Sequence, residues 1–460
     1  MDVNIKQKAF KESVFKAYDI RGLYPEELDH NTLELIAAGF AEFIKKSEKS
    51  RVCLLGQDIR ESSEEISEII EKELRKRGLD VVKIGQATTP LFTFAMGQSK
   101  AAAGIMITAS HNPVRYNGLK MYRGTQGINE KTGLAEIKNM ILSGLPKAEG
   151  PKGEVSEKDF LEDYVAFLAR RTEFKRTLKV VFDPGGGAVC LVLPKLLKVL
   201  KNLDAKTLFS KVDSSFTSRE PNPLLPQAQI PIREEILKNK ADAGFLFDPD
   251  GDRLIVLDER GEVVRGDAIL WLLAKKLVHP GEGVVYDYIR TSRSLVEELR
   301  AVGIKCHKSR VGYSFIKEVM HEEDAVLGGE YSGHYYFKDF FFSESALLAV
   351  IKILEILSKS SKKLSELLAS YFRYILSGEI NFIVKDKEKI ISALEKKYPD
   401  AERDYFDGAM FQYPDWWFSV RPSNTEDLLR LVVEAKTKTL FDEKKDEVMS
   451  FLFSKGAKLA

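Results

Sequence analysis

The chain has 460 residues, with 70 Lys plus Arg against 69 Asp plus Glu, and a net formal charge of +1 that gives no hint of a nucleic-acid binder. With 44% hydrophobic and 30% charged residues there is ample apolar material for closed cores, and disorder along the whole chain is excluded. Cys53, Cys190 and Cys306 are too few and scattered for a disulfide framework, no CxxC pair suggests zinc, and no stretch approaches the roughly 20 apolar residues of a membrane span, so the expectation is a cytoplasmic protein of about three domains.

Residues 1–150 alternate between helical and strand periods, the pattern of βαβ units. Leu33, Ile36, Phe40, Phe43 and Ile44 line one helical face behind an expected Asn31 cap. VCLLG (52–56) reads as a buried strand, Ile66, Ile69, Ile70 and Leu74 mark a second helix ending at Gly78, and VVKIG and AAAGIMI follow as strands. The pattern restarts at LKVVFD (178–183), with a helix over Leu191 to Leu200 and the strand AGFLF (243–247). It restarts again at GVVYDYI (283–289), before a helix from Ser292 to Leu299. Near residue 360 the polar run SKSSKK separates two helical segments. EINFIV, MFQY, WWFSV and LLRLVVEA then read as strands, with one helix before and one after, which predicts a mainly antiparallel α+β unit.

Four loops carry candidate chemistry. TASHNP (108–113) follows AAAGIMI, so Ser110 is expected just beyond the carboxyl end of a buried strand, where ligands of open α/β sheets gather and a hydroxyl can carry a phosphoryl group. A plain Ser-Asn-Pro turn fits the same letters. FDPDGDR (247–253) puts Asp248, Asp250 and Asp252 at alternate positions of one loop. Three carboxylates repel unless a cation joins them, and oxygen donors favour magnesium, manganese or calcium over zinc. An EF-hand is excluded, because Arg253 stands where that loop needs glycine and LIVL reads as a strand. Magnesium commonly adds a phosphate to a few carboxylates, so a phosphorylated Ser110 is the expected further ligand, with Lys120 and Arg253 as nearby cations. GEYSGH (329–334) offers Glu330, Ser332 and His334 to sugar hydroxyls, and RPSNTE (421–426) gathers donors for phosphate. Each of these two also reads as an everyday turn.

In order and spacing these loops resemble those of the α-D-phosphohexomutase family, most closely its phosphomannomutase/phosphoglucomutase branch. FKAYDIRG (15–22), YNGLK (116–120), PNPLLP (221–226), GDAILWLLA (266–274) and VGYSFIK (311–317) extend the likeness over essentially the whole chain. The resemblance implies an α/β protein of four domains around a central cleft: three related α/β units with mixed sheets (1–155, 156–257 and 258–370) and a smaller C-terminal α+β domain (371–460). It implies Ser110 as phosphoserine, and Asp248, Asp250 and Asp252, with Ser110, as ligands of one Mg2+ per chain. Lys120, Arg21 and Arg253 are implied as catalytic helpers, and Tyr18, Glu330, Ser332 and His334 as substrate contacts. Arg421, Ser423, Asn424 and Thr425 are implied as the clamp for the phosphate that is not reacting.

The implied activity interconverts hexose 1-phosphate and hexose 6-phosphate through a hexose 1,6-bisphosphate, which also acts as primer. Phosphoglucosamine mutase, a metal-dependent sugar-phosphate phosphatase and a non-catalytic binding protein are the alternatives. Sugar phosphates are the expected partners, with neither nucleic acid nor membrane, in a monomer or homodimer. The sequence departs from the family pattern at Tyr313, where many members have histidine, at Gln57, at Asp427, and at FSES (342–345).

Overall fold

The amphipathic stretches become helices whose apolar faces are buried, and the computed structural model describes them over residues 10–170, 172–423 and 428–460. The chain divides into two units. One runs to Arg265 and takes up Ser332–Glu366; the other is Gly266–Tyr331 with Leu367–Ala460.

In the first unit, Leu33, Ile36, Phe40, Phe43 and Ile44 are buried on the helix His30–Ser47. Its cap is Asp29 rather than the expected Asn31: the Asp29 carboxylate accepts the N–H of Thr32 at 2.7 Å, leaving Asn31 inside the first turn. The helix Ser63–Lys76 buries Ile66, Ile69, Ile70 and Leu74, and Gly78, at φ +82°, returns its N–H to Arg75. These helices cover a mixed sheet of β1 (Ile20–Leu23), β2 (Val52–Gln57), β3 (Asp80–Gln86), β4 (Ala103–Ile107), β5 (Tyr116–Arg123), β6 (Gln126–Gly127) and β7 (Val155–Glu157). The order is β1-β5-β4-β2-β3-β7, with β6 on β5. β2, β3 and β4 are parallel, whereas β5 lies antiparallel between β4 and β1, with Lys120 opposite Met106 and Arg21 opposite Gly118.

A second sheet holds β8 (Leu178–Asp183), β9 (Leu203–Thr207), β10 (Ala243–Phe247), β11 (Leu254–Asp258) and β12 (Val263–Val264), in the order β12-β11-β10-β8-β9. β10 is buried throughout and pairs antiparallel with β11, Phe247 opposite Leu254, so FDPDGDR is the turn of a hairpin. The helix expected at Leu191–Leu200 runs from Val189 to Val199.

In the second unit, β13 (Gly283–Asp287) lies between β14 (Lys305–Ser309) and β15 (Leu327–Gly329), all parallel. Ser292 caps the helix Arg293–Ala301. The closing sheet is antiparallel, with Trp416–Pro422 paired to Ala409–Gln412 and to Leu428–Ala435, and Ile380–Ile383 beyond. The helices Lys387–Lys397 and Lys438–Ser454 belong to this α+β segment. Phe411 and Phe418 stack at 4.6 Å in its core. Among the described residues, no helix is long and apolar enough to cross a membrane.

Candidate active site

β4 ends at Ile107, and three residues later Ser110 is buried with φ +49°, a left-handed backbone uncommon outside glycine. Its N–H donates to Thr108 Oγ1 at 2.9 Å. Its hydroxyl lies 2.8 Å from Asp248 Oδ2 and 3.2 Å from His111 Nδ1. Burial, then Arg253 and Arg21, holds the His111 imidazole well below its ordinary pKa, so it is neutral beside the serine.

The β10–β11 turn brings one oxygen each from Asp248, Asp250 and Asp252 within 4.8 Å of one another, all three buried. Gly251, at φ +70°, makes the tight turn. Lys120 Nζ reaches Asp250 Oδ2 at 2.7 Å and Asp252 Oδ2 at 2.5 Å. Thr89, the first residue of a helix capped by Thr88, donates its hydroxyl to Asp250 Oδ2 at 2.7 Å and its N–H to the Asp250 carbonyl at 2.9 Å. Arg253 lies 3.7 Å from Asp248, and His334 Nε2 lies 3.2 Å from Asp252.

Burial and its two like-charged neighbours push Asp248 well above the usual carboxylate range. Against the same burial, Lys120 and His334 hold Asp252 well below it. Burial opposes the Lys120 charge, but Asp250 and Asp252 outweigh it and keep the ammonium protonated well beyond its ordinary value. Asp250 Oδ1 is buried with no hydrogen-bond partner among the described residues. An all-oxygen set with an unused buried lone pair could hold a hard divalent cation.

Arg21 joins this cluster through the serine loop, donating to Asn112 Oδ1 at 2.7 Å and to Asp19 Oδ2 at 2.5 Å. Tyr18 is half-buried ahead of β1; burial opposes the Arg21 charge, and Asp19 outweighs it and holds the guanidinium charged. Ser332 Oγ is 3.3 Å from His334 Nδ1. The first unit thus gathers Ser110, Lys120, Asp248, Asp250, Asp252, Arg253, Arg21, Ser332 and His334.

Glu330, Arg421 and Ser423 belong to the second unit. Glu330 Oε1 accepts the Gly312 N–H at 3.0 Å and lies 3.7 Å from the buried Arg290, which Asp287 holds at 2.5 Å. Arg421 stands opposite Arg430 in register, and Arg430 reaches Ser423 Oγ at 3.4 Å and Glu379 at 3.0 Å. Burial and then Arg290 depress the Arg421 guanidinium, whose Nε has no hydrogen-bond partner among the described residues. With Arg290 and Arg430 already matched by Asp287, Glu330 and Glu379, Arg421 is the guanidinium of this group that suits an incoming anion. Asn424, Thr425 and Asp427 lie outside the described residues. Sequence reading missed His111, Thr89, Arg290 and Arg430; His111 stands inside TASHNP and was open to notice, whereas the others mean nothing until their distant partners are known.

The chain matches the models of the four phosphoglucomutase/phosphomannomutase domains: α/β/α domains I (12–145), II (159–261) and III (265–374), and the C-terminal domain (379–450). It is 34% identical to a phosphomannomutase of Methanocaldococcus jannaschii, covering 97% of this chain and 99% of that one. The chain belongs to the phosphoglucomutase/phosphomannomutase family. A phosphomannomutase of Escherichia coli is 34% identical over 93% of this chain and 95% of its own. Among solved structures, a phosphoglucomutase/phosphomannomutase family protein of Burkholderia thailandensis superposes with a TM-score of 0.88 at 29% identity, covering 98% of this chain and 99% of that one. This phosphohexomutase is therefore a sugar-phosphate mutase of four-domain α/β architecture, as the loops implied.

Proposed function

We propose that this mutase interconverts hexose 1-phosphate and hexose 6-phosphate, with mannose or glucose as the sugar, through a phosphoserine at Ser110. One contact carries the reading: the Ser110 hydroxyl, past the end of a buried strand, lies 2.8 Å from Asp248 within the trio of buried aspartates. Asp248, Asp250 and Asp252 would hold one Mg2+, with an oxygen on Ser110 as a further ligand. Bound there, the ion neutralises charge on the transferring phosphoryl group.

The P–O bond to Ser110 Oγ breaks as a bond forms from the sugar hydroxyl to phosphorus, and the proton that hydroxyl gives up is passed on to Ser110 Oγ, giving a hexose 1,6-bisphosphate and the free serine. The bisphosphate reorients, and its other phosphate returns to Ser110. Arg21 and Arg253 offset the charge that develops at the serine loop. Lys120 is our candidate to take the hydroxyl proton, which requires it first to surrender the one that Asp250 and Asp252 hold on it. Tyr18, Glu330, Ser332 and His334 contact the sugar, while Arg421 and Ser423, with Asn424 and Thr425, grip the idle phosphate.

Mass spectrometry of the Ser110 peptide and turnover by Ser110→Ala test the carrier. Phosphate on that peptide and loss of turnover are expected, and unimpaired turnover by the variant ends the reading. Release of inorganic phosphate at the rate of substrate loss would favour a phosphatase instead. A coupled assay of mannose, glucose and glucosamine 1-phosphates, primed with the matching bisphosphate, decides the sugar; preference for glucosamine replaces the mannose/glucose assignment.

A further inference from the structure

The serine loop is held from beneath by one side chain outside the catalytic cluster. Arg60 follows β2, and its side chain, like that of Asp58, is fully buried. Nη2 donates to the carbonyl oxygens of Ser110 and Asn112, each at 2.7 Å. Nη1 donates to those of Pro113 and Tyr116 at 3.0 and 3.1 Å, and Nε to Asp58 Oδ2 at 3.2 Å. A guanidinium has five N–H donors, so the fork is fully spent on three carbonyls of the serine loop, that of Tyr116 at the start of β5, and one carboxylate. Asp58 is itself fixed: its Oδ1 accepts the Arg60 N–H and the Ser63 hydroxyl, and its N–H bonds the Ile107 carbonyl at the end of β4. Phe216, packed with Ile59 and Ala188, lies 4.9 Å from the guanidinium carbon.

We propose that Arg60 is a positioning residue for phosphoryl transfer: it staples the serine loop so that Ser110 keeps its left-handed backbone and its hydroxyl stays aimed at Asp248. A non-glycine residue at φ +49° persists only where its surroundings over-determine it, and four carbonyls drawn onto one rigid fork do so. Lysine keeps the charge but has three donors on a flexible stem, and cannot bond four carbonyls at once. With no donor left over, Arg60 does not touch substrate; it acts through Ser110. The inference rests on Ser110 being the phosphoryl carrier.

The test compares full-length wild type, Arg60→Lys, Asp58→Asn and Ser110→Ala by steady-state kinetics, thermal unfolding and the 31P resonance of the phosphorylated enzyme. Arg60→Lys is expected to keep its KM while kcat falls about 100-fold, the cost of roughly 1 Å of misplacement, and its phosphoserine resonance should shift or broaden. Asp58→Asn, which keeps the carbonyl bonds but weakens the anchor, should lie between Arg60→Lys and wild type. Wild-type kcat and resonance in Arg60→Lys overturn the proposal, as does activity that falls only in proportion to the folded fraction. If Arg60→Lys does not fold, Asp58→Asn decides, and an unchanged kcat there overturns it. Turnover by Ser110→Ala would instead end the carrier reading, an outcome distinct from an inert Ser110→Ala beside an unimpaired Arg60→Lys.

Discussion

Single residues carry the charge logic of this mutase. Arg421 is buried beside Arg290 and Arg430, and its Nε has no hydrogen-bond partner among the described residues, an arrangement that favours an incoming dianion. Charge-assisted hydrogen bonds contribute about 1.5–3 kcal/mol each, so Arg421→Ala should raise KM by about 10- to 150-fold in a steady-state assay, with kcat falling less. An unchanged KM would remove Arg421 from the proposed phosphate clamp. Asp287 offers a pH test: burial pushes its carboxyl up to about 6, with Arg290 opposing. Its folded pKa exceeds the unfolded one, so its stability contribution is greatest in acid and is lost as pH rises from about 4 to about 6. Urea titrations should show wild-type stability falling relative to Asp287→Asn by about 2 kcal/mol over that range, and a flat difference would contradict the shift. The alternate aspartates and the strand-end serine were legible because each motif is contiguous. Arg60 and Thr89 were not, since their partners lie 50 and 161 residues away.

At the level of elements, periodicity identified helix faces well and caps less well. Asp29 and Asn31 are both good N-caps two residues apart, and only the first intrahelical bonds distinguish them. Asp29→Ala should cost about 1 kcal/mol, read as a lower urea midpoint, and Asn31→Ala much less. Strand direction was harder to read. YNGLK resembles a motif of the family, yet its burial as β5 between β4 and β1 came only with the register. Gly118 is required there because a Cβ would lie 2.3 Å from the Ile20 carbonyl oxygen. Gly118→Ala should destabilise the first sheet by about 1–3 kcal/mol, and it should lower activity more than the loss of folded protein explains, because Arg21 and Lys120 ride on the two strands it pushes apart. Wild-type activity per folded molecule would show that the site tolerates the shift.

For the whole molecule, the aspartate cage predicts linkage between metal and stability. Saturating Mg2+ at about 100 times its Kd should raise unfolding free energy by about 2.7 kcal/mol, seen as a higher Tm. EDTA should reverse this and abolish turnover, and Asp250→Asn should blunt both responses; a Tm indifferent to Mg2+ in wild type would count against the cage. Length alone suggested about three domains; the ordered loops, through their resemblance to a known family, were enough to read the four-domain α/β class and the mutase family, because apolar period and motif chemistry are short-range properties of neighbouring residues. Tertiary structure alone decided that Lys120 sits between Asp250 and Asp252 as a bound cation, that Thr89 bonds the aspartate loop and Arg60 the serine loop, and that Arg290 and Arg430 stand with Arg421. Those facts depend on strand register and on the desolvation of charges brought together from distant parts of the chain, and neither is encoded in any one stretch of residues.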